Sequence, residues 1–231
     1  MTLTYSKHKK ILLSILKDIF TDASIAPCLG FKGGTAAMML YDLPRYSVDL
    51  DFDLIDLTKK EEVLQKVTEI IDKYGDVTES RIKRFTILQV LSYSANTPNI
   101  KIEINLRNFN SRYEVKTLLG ISMQVMVKED MFAHKLMAMY ERIEKTSRDI
   151  FDVHYFATKH WDINKNIVEK RSGMSFKETL EKLIKKLEQL DNKHILRGLG
   201  ELMGDAQKDS TRAKLKEDTL FQLRVLYDNE K

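Results

Sequence analysis

The sequence predicts an α/β (α+β) chain: a mixed-sheet lobe followed by an all-helical C-terminal lobe. Three observations carry that reading. Residues 48–54 alternate apolar and acidic side chains with a period of two, as a half-buried strand does. Two further strand stretches follow, around 86–93 and 100–106, the second alternating in the same way. After Lys128 the apolar spacing is helical throughout. The boundary falls near residue 127, giving an α/β lobe over 1–127 and a helical lobe over 128–231.

Residues 7–20 predict a helix, because Ile11, Leu12, Ile15, Leu16 and Ile19 recur at helical spacing. Pro27 follows, and a short apolar stretch through Leu29 and Phe31 leads to Gly33-Gly34. Residues 35–41 predict a short helix whose start is marked by Thr35 and whose end is set by Pro44. In the strand at 48–54, Val48, Leu50, Phe52 and Leu54 share one face, and Asp49, Asp51 and Asp53 the other. A helix is expected over 58–74, with Val63, Val67, Ile70 and Ile71 inward. The strands at 86–93 and 100–106 join across Asn96-Thr97-Pro98-Asn99, and 113–118 with 121–127 form a hairpin about Gly120. Helices are expected over 129–145, 148–159, 164–171, 175–190, 193–203 and 210–227.

Composition narrows the class. With 43% hydrophobic and 31% charged residues, the chain reads as an ordinary globular protein. Its 9 Gly and 3 Pro exclude long flexible linkers, and its single Cys28 excludes an intramolecular disulfide. Lys7, Lys9 and Lys10 before Ile11 imitate the start of a signal peptide. Ser14, Lys17 and Asp18 then break the apolar run, so an amphipathic helix and a cytoplasmic protein are expected. No stretch approaches the roughly 20 apolar residues needed to cross a bilayer. A net charge of +4 is compatible with a polyanionic partner without demanding one. His8, His134, His154, His160 and His194 lack zinc-ligand spacing. No dimerisation signal is evident, so a monomer is the default.

The chemistry points to nucleotidyl transfer. Such an enzyme must hold divalent metal against a triphosphate and align that triphosphate for in-line attack. Asp49 and Asp51, two apart on one strand, project together and repel each other unless a cation lies between them. Magnesium takes oxygen ligands of this kind, and manganese can replace it. Glu103, on the polar face of the strand at 100–106, is the candidate third ligand. Asp53 shares the acidic face but sits near the strand end, where solvation explains it equally well. Gly33-Gly34 permits close backbone approach to phosphate, with a helix start behind it and the Thr35 hydroxyl beside it. No Gly-x4-Gly-Lys-Ser/Thr loop occurs. Alone, an Asp-x-Asp pair or a Gly-Gly turn is commonplace; the combination is the signal.

The run Phe31-Lys32-Gly33-Gly34-Thr35 through Tyr41, then Arg45-Tyr46-Ser47-Val48-Asp49-Leu50-Asp51-Phe52, closely resembles the first motif of the AbiEii/AbiGii toxin family. That family lies within the nucleotidyltransferase superfamily and includes the MenT toxins. Lys128-Glu129-Asp130, Lys135-Leu136-x-Ala138, Arg142 and Arg148-Asp149-x-x-Asp152 resemble its second block. The resemblance implies a nucleotidyltransferase core with a helical C-terminal lobe, a nucleoside triphosphate substrate, magnesium, and an RNA acceptor such as the 3′ end of tRNA. It also implies a cognate antitoxin, whose direct contact is left open. By matched position, Asp49 and Asp51 hold metal, while Gly33, Gly34 and Thr35 hold the triphosphate. Lys135 contacts phosphate, and Asp149 or Asp152 is an essential acid.

Several alternatives stay open at the level of sequence. Lys135, Met139 and Arg142 share a helical face, so both cations can enter one cleft, or that face is solvated, with ion pairs such as Glu141 with Lys145. Asp149 and Asp152 are catalytic or else anchor Arg142 or Arg148. Arg45 contacts the triphosphate or acceptor strand, or pairs with an aspartate. Ser47 faces the nucleotide or bonds its own loop. Cys28 and Trp161 read as core residues. The acceptor is RNA, or alternatively a protein side chain or a small-molecule hydroxyl; a nucleotide- or RNA-binding module without catalysis is the third reading.

Overall fold

The computed structural model describes residues 2–95 and 97–230, so Asn96 of the expected 96–99 connection lies outside the described residues. The chain divides into two compact units, one of Met1–Asn108 with Arg112–Met126, the other of Phe109–Ser111 with Val127–Lys231.

The first unit is built on a mixed sheet of seven strands among the described residues: β1 (Leu29–Lys32), β2 (Leu50–Leu54), β3 (Asp76–Ile82), β4 (Thr86–Ser92), β5 (Ile100–Asn105), β6 (Tyr113–Leu118) and β7 (Ile121–Met126). Their order across the sheet is β3-β4-β5-β2-β1-β7-β6. β2 is central, antiparallel to β1 and parallel to β5. Helix α1 (Thr2–Thr21) buries Leu12, Ile15, Leu16 and Ile19, and α3 (Lys60–Ile71) buries Val63, Val67, Ile70 and Ile71. The two helices touch each other, and α3 reaches β4 while α1 reaches β7. The apolar members of the alternating strands, Phe52, Ile87, Leu91, Ile102 and Ile104, are buried as well. Each such side chain contributes about 1.5–3 kcal/mol on burial.

Three local differences from the sequence reading stand out here. Helix α2 begins at Gly33 and runs to Leu40, so Thr35 lies inside its first turn rather than at its cap. β2 begins at Leu50, which leaves Val48 and Asp49 in the loop before it. β3 has no counterpart in the sequence reading. It is an edge strand with most of its residues exposed, so it lacks the alternating apolar face that announces β4 and β5.

The second unit is helical among its described residues: α4 (Lys128–Arg142), α5 (Arg148–Thr158), α6 (Lys165–Ser172), α7 (Phe176–Gln189) and α8 (Asp205–Asp228). α4 packs on α5, α6 and α7, and α8 packs on α5 and α7. Ser175 and Glu178 close a capping box at the start of α7. The helix expected over 193–203 does not form. Short 3-10 turns at Asn192–His194 and Gly200–Leu202 replace it, and Gly198 between them takes φ +65°. Glycine at a positive φ ends helices rather than continuing them.

Candidate active site

Gly33 adopts φ +80°, a left-handed conformation that a β-carbon disfavours. It also lies directly against Asp51, since a β-carbon added there would collide with the Asp51 carboxylate. Gly34 is as tightly placed: a β-carbon would come within 2.7 Å of Arg45 Nη2 and 2.9 Å of Ser47 Oγ. The glycine turn therefore has two close partners, the Asp51 carboxylate of β2 on one glycine and the Arg45 guanidinium of the preceding loop on the other. Arg45 is buried, and its Nη1 donates to the Tyr46 carbonyl at 2.9 Å.

Strand register brings the expected third acid beside Asp51. In the parallel β2–β5 pair Asp51 is opposite Glu103, and in the antiparallel β1–β2 pair it is opposite Lys32. Asp51 is half-buried and Glu103 exposed. Asp49 does not join them in the same way. Its Oδ1 accepts the Lys101 backbone N–H at 3.2 Å, at the mouth of β5.

Asp49 is positioned through its backbone. The fully buried Thr35 hydroxyl donates to the Asp49 carbonyl and lies 2.9 Å from Ser47 Oγ. One residue earlier, His8 Nε2 meets the Val48 carbonyl at 2.9 Å. A carbonyl only accepts, so Nε2 donates to it, and Nδ1 lies 2.7 Å from Tyr93 Oη. Thr35, expected to offer its hydroxyl to phosphate, directs it to the Asp49 carbonyl, and Ser47 Oγ lies beside that same hydroxyl.

Asp53 corrects the sequence reading most clearly. It is not solvated: it is buried, accepting from Lys32 Nζ at 2.6 Å, Asn105 Nδ2 at 2.7 Å and Tyr113 Oη at 2.7 Å. Burial alone would raise its pKa, but the Lys32 ammonium and these hydrogen bonds outweigh it and hold the carboxyl below its ordinary value. The Tyr113 ring reaches Asp53 by lying over Gly30, where any β-carbon would strike it.

In the helical unit, Lys135, Arg142, Asp149 and Asp152 form one ion cluster. Lys135 Nζ is 2.7 Å from Asp152 Oδ2 and 3.2 Å from Asp149 Oδ1. Arg142 grips Asp149 with Nε at 2.6 Å and Nη2 at 3.0 Å. Both aspartates are fully buried. Burial pushes the Asp149 pKa up, yet Lys135 and Arg142 drive it far below the usual carboxylate range. Asp149 therefore anchors Arg142, one of the two structural roles left open, and Glu141 pairs with Arg171 at 2.7 Å instead of Lys145. Asp130, also fully buried, accepts from Asn164 Nδ2 at 2.8 Å.

The profile of a family described as "Nucleotidyl transferase AbiEii toxin, Type IV TA system" matches residues 14–217. The chain belongs to the AbiEii nucleotidyltransferase family. Its fold is similar to the crystal structure of JHP933 from Helicobacter pylori, with TM-score 0.63 and 21% identity over 97% of this chain and 92% of that one. It is also similar to a candidate nucleotidyltransferase from H. pylori, with TM-score 0.61 and 23% identity over 97% of each chain. No curated protein matches.

For an AbiEii nucleotidyltransferase the β-sheet unit offers suitable donors. Magnesium takes hard oxygen ligands, usually one or two carboxylates with water and substrate phosphates completing the shell. Asp51 and Glu103 fit that demand in donor type and number. Among the described residues no three His, Cys, Asp or Glu side chains gather into one metal-binding group. The expected triad of Asp49, Asp51 and Glu103 is therefore assembled as a neighbouring pair, with Asp49 turned to the Lys101 amide. Sequence reasoning missed Lys32, Asn105 and Tyr113, which fix Asp53, and His8, which fixes Val48. The lysine preceding the glycines was visible in the AbiEii-like motif; the other three carry no local signal. No helix among the described residues is long and apolar enough to cross a membrane.

Proposed function

We propose that this chain moves a nucleoside monophosphate from a nucleoside triphosphate to the 3′ hydroxyl of an RNA, the acceptor end of a tRNA. It would do so as the toxin of a toxin–antitoxin or phage-defence pair, with a cognate antitoxin as its partner. One observation carries the reading: the Asp51 carboxylate lies against Gly33, at the start of α2, with Glu103 as its neighbour on β5. A triphosphate placed on the glycine turn would meet helix N-terminal amides on one side and carboxylates on the other.

Asp51 and Glu103 would hold magnesium, or manganese in its place, with Asp49 as a further ligand once it turns from the Lys101 amide. Magnesium, when bound, neutralises charge on the phosphates and polarises them. The chain's own groups then align the reactants: Arg45 stands at Gly34 to meet phosphate oxygens, while Thr35 and His8 keep the acidic loop still. The 3′ oxygen bonds to the α-phosphorus, the bond to the β-phosphate oxygen breaks, pyrophosphate departs, and the hydroxyl proton is released. Family likeness supports Lys135 as a phosphate-contacting lysine, its ammonium held by Asp149 and Asp152.

The test incubates the protein with each α-labelled triphosphate, magnesium and total tRNA, beside Asp51→Asn. Label entering RNA only with the unaltered chain supports the reading. Label entering protein or small molecules, or no RNA labelling with any triphosphate, overturns the acceptor assignment.

A further inference from the structure

The sheet ends on two edge strands, β3 and β6, and an edge offers its outer backbone N–H and C=O groups to any further strand. The two edges differ. β3 is broken by a register shift between Val77 and Glu79, an irregularity of the kind that hinders further pairing. β6 pairs with β7 without one, from Tyr113 opposite Met126 to Leu118 opposite Ile121, and it contains no proline. Its hairpin carries the two most exposed large apolar side chains among the described residues, Val115 at 71% and Leu119 at 78%. Lys116, the charge that could repel a second strand, lies 3.0 Å from Glu114, which also accepts from Tyr41 Oη at 3.4 Å.

The turn fixes which backbone groups face outward. Leu119 at φ +51° and Gly120 at φ +80° are both left-handed, as the two central residues of a type I′ turn are. Such a turn hydrogen-bonds Leu118 to Ile121, so the backbone groups of Leu118 point at β7. Direction alternates along a strand, so those of Lys116 and Glu114 point at β7 too. Those of Val115 and Thr117 point away from the sheet.

A second copy related by a two-fold axis would pair antiparallel to this edge, and its outward groups meet only when the axis passes at a residue. Centring on Glu114 sets carboxylate against carboxylate, and centring on Lys116 sets ammonium against ammonium. Centring on Val115 sets Glu114 of each copy opposite Lys116 of the other. Val115 then exchanges both backbone hydrogen bonds with its twin. The Glu114–Lys116 pairs fall at non-hydrogen-bonded positions, where Cα atoms approach to about 4.5 Å and side chains are closest. Together with the pair inside each chain, they form a ring of four charges alternating in sign. A centre nearer either end of β6 pairs less of the strand.

We propose that β6 is the interface of a homodimer, with Val115 on the two-fold axis and the two sheets joined into one. The residues taken as a linear pattern show no dimerisation signal; the complementarity emerges only from the hairpin's phase. The interface does not depend on the transferase reading above.

Sedimentation velocity over a concentration series tests it. The unaltered chain is expected to pass from monomer to dimer as concentration rises. Glu114→Lys sets lysine against lysine and Lys116→Glu sets glutamate against glutamate, and each is expected to weaken the dimer about tenfold or more. Mixing those two variants restores opposite charges at both positions, so a heterodimer is expected. The doubly exchanged Glu114→Lys/Lys116→Glu chain is expected to form a homodimer again. Val115→Pro deletes an outward N–H at a position where an edge strand accepts proline, and is expected to be folded and monomeric. A chain monomeric at every concentration, a dimer that survives both single exchanges, or a mixture that stays monomeric overturns the proposal. Amide exchange at Val115 that slows only with another protein present gives this edge to a different occupant and overturns it too.

Discussion

The carboxylate pair of the sheet unit and that of the helical unit have surroundings that differ in kind. Asp51 and Glu103 are side by side on a sheet, one half-buried and one exposed, against a glycine turn. Asp149 and Asp152 are fully buried on one helix and bound to Lys135, with Arg142 added on Asp149. Charge taken out of water is tolerated only when neutralised nearby. Each buried aspartate of the helical unit therefore has a cation against it, whereas the sheet pair lies partly in solvent. The helical pair is thus placed by ion pairs within its unit, and the sheet pair by strand register beside the glycine turn.

The largest effect expected of this contrast is on stability, at Asp149. Asp149→Ala removes the buried carboxylate that Arg142 and Lys135 share and leaves Lys135 with Asp152; breaking a buried pair costs up to about 3–5 kcal/mol, less where, as at Arg142, one partner is 45% exposed. Urea unfolding measures it, and a loss below about 1 kcal/mol would erase the distinction between the two pairs. The pH dependence has a definite sign. A carboxyl whose folded pKa is depressed stabilises fully above its unfolded value and loses that contribution as pH falls through the folded one. Asp149 and Asp53 are both depressed from 3.8, so stability should decline as pH drops below about 4. Asp149→Ala should show a shallower decline.

The next effect belongs to the sheet pair and to activity. Asp51→Asn should lower transfer at least about a hundredfold, since even outer hydrogen-bond partners of a metal ligand cost roughly 10–100-fold. Its thermal midpoint should fall less than that of Asp149→Ala, because the Asp51 side chain is only half-buried. A large stability loss with activity kept would reverse the assignment. Gly33→Ala is smaller in energy: strain at φ +80° is worth about 1–3 kcal/mol, and the new methyl also displaces the Asp51 carboxylate. Its mark should be a fall in transfer out of proportion to the fall in midpoint, read by comparing both in one preparation.

Much of this contrast was legible in the residues themselves. The period-two run through Leu50, Asp51 and Phe52 and that through Ile102, Glu103 and Ile104 identified two central strands, and their polar positions turned out to be neighbours. Lys135 and Arg142, seven apart, were visibly on one face, and both reach Asp149. What stayed hidden depends on long-range pairing. Asp53 takes its partners from 21, 52 and 60 residues away, and only the sheet order makes them adjacent. His8 is a lone histidine on a helix until Tyr93 and Val48, 85 and 40 residues distant, fold onto it. The edge strand β3 carries no apolar face to read, because an edge with exposed flanks has none to bury.

The smallest effect concerns the loop before the sheet pair, which delivers Asp49. Thr35 is fully buried and hydrogen-bonded to the Asp49 carbonyl, so Thr35→Val keeps the side-chain shape and deletes the donor. Losing one partner of such a bond costs about 1–3 kcal/mol. A purely structural bond would lower the midpoint and leave kinetics alone. A bond that aims the acidic loop predicts something further: a higher magnesium requirement and a lower kcat, with Thr35→Ser restoring both. Equal magnesium dependence in Thr35→Val and the unaltered chain would reduce Thr35 to packing, and Asp49 would then owe its placement to His8 and the Lys101 amide alone.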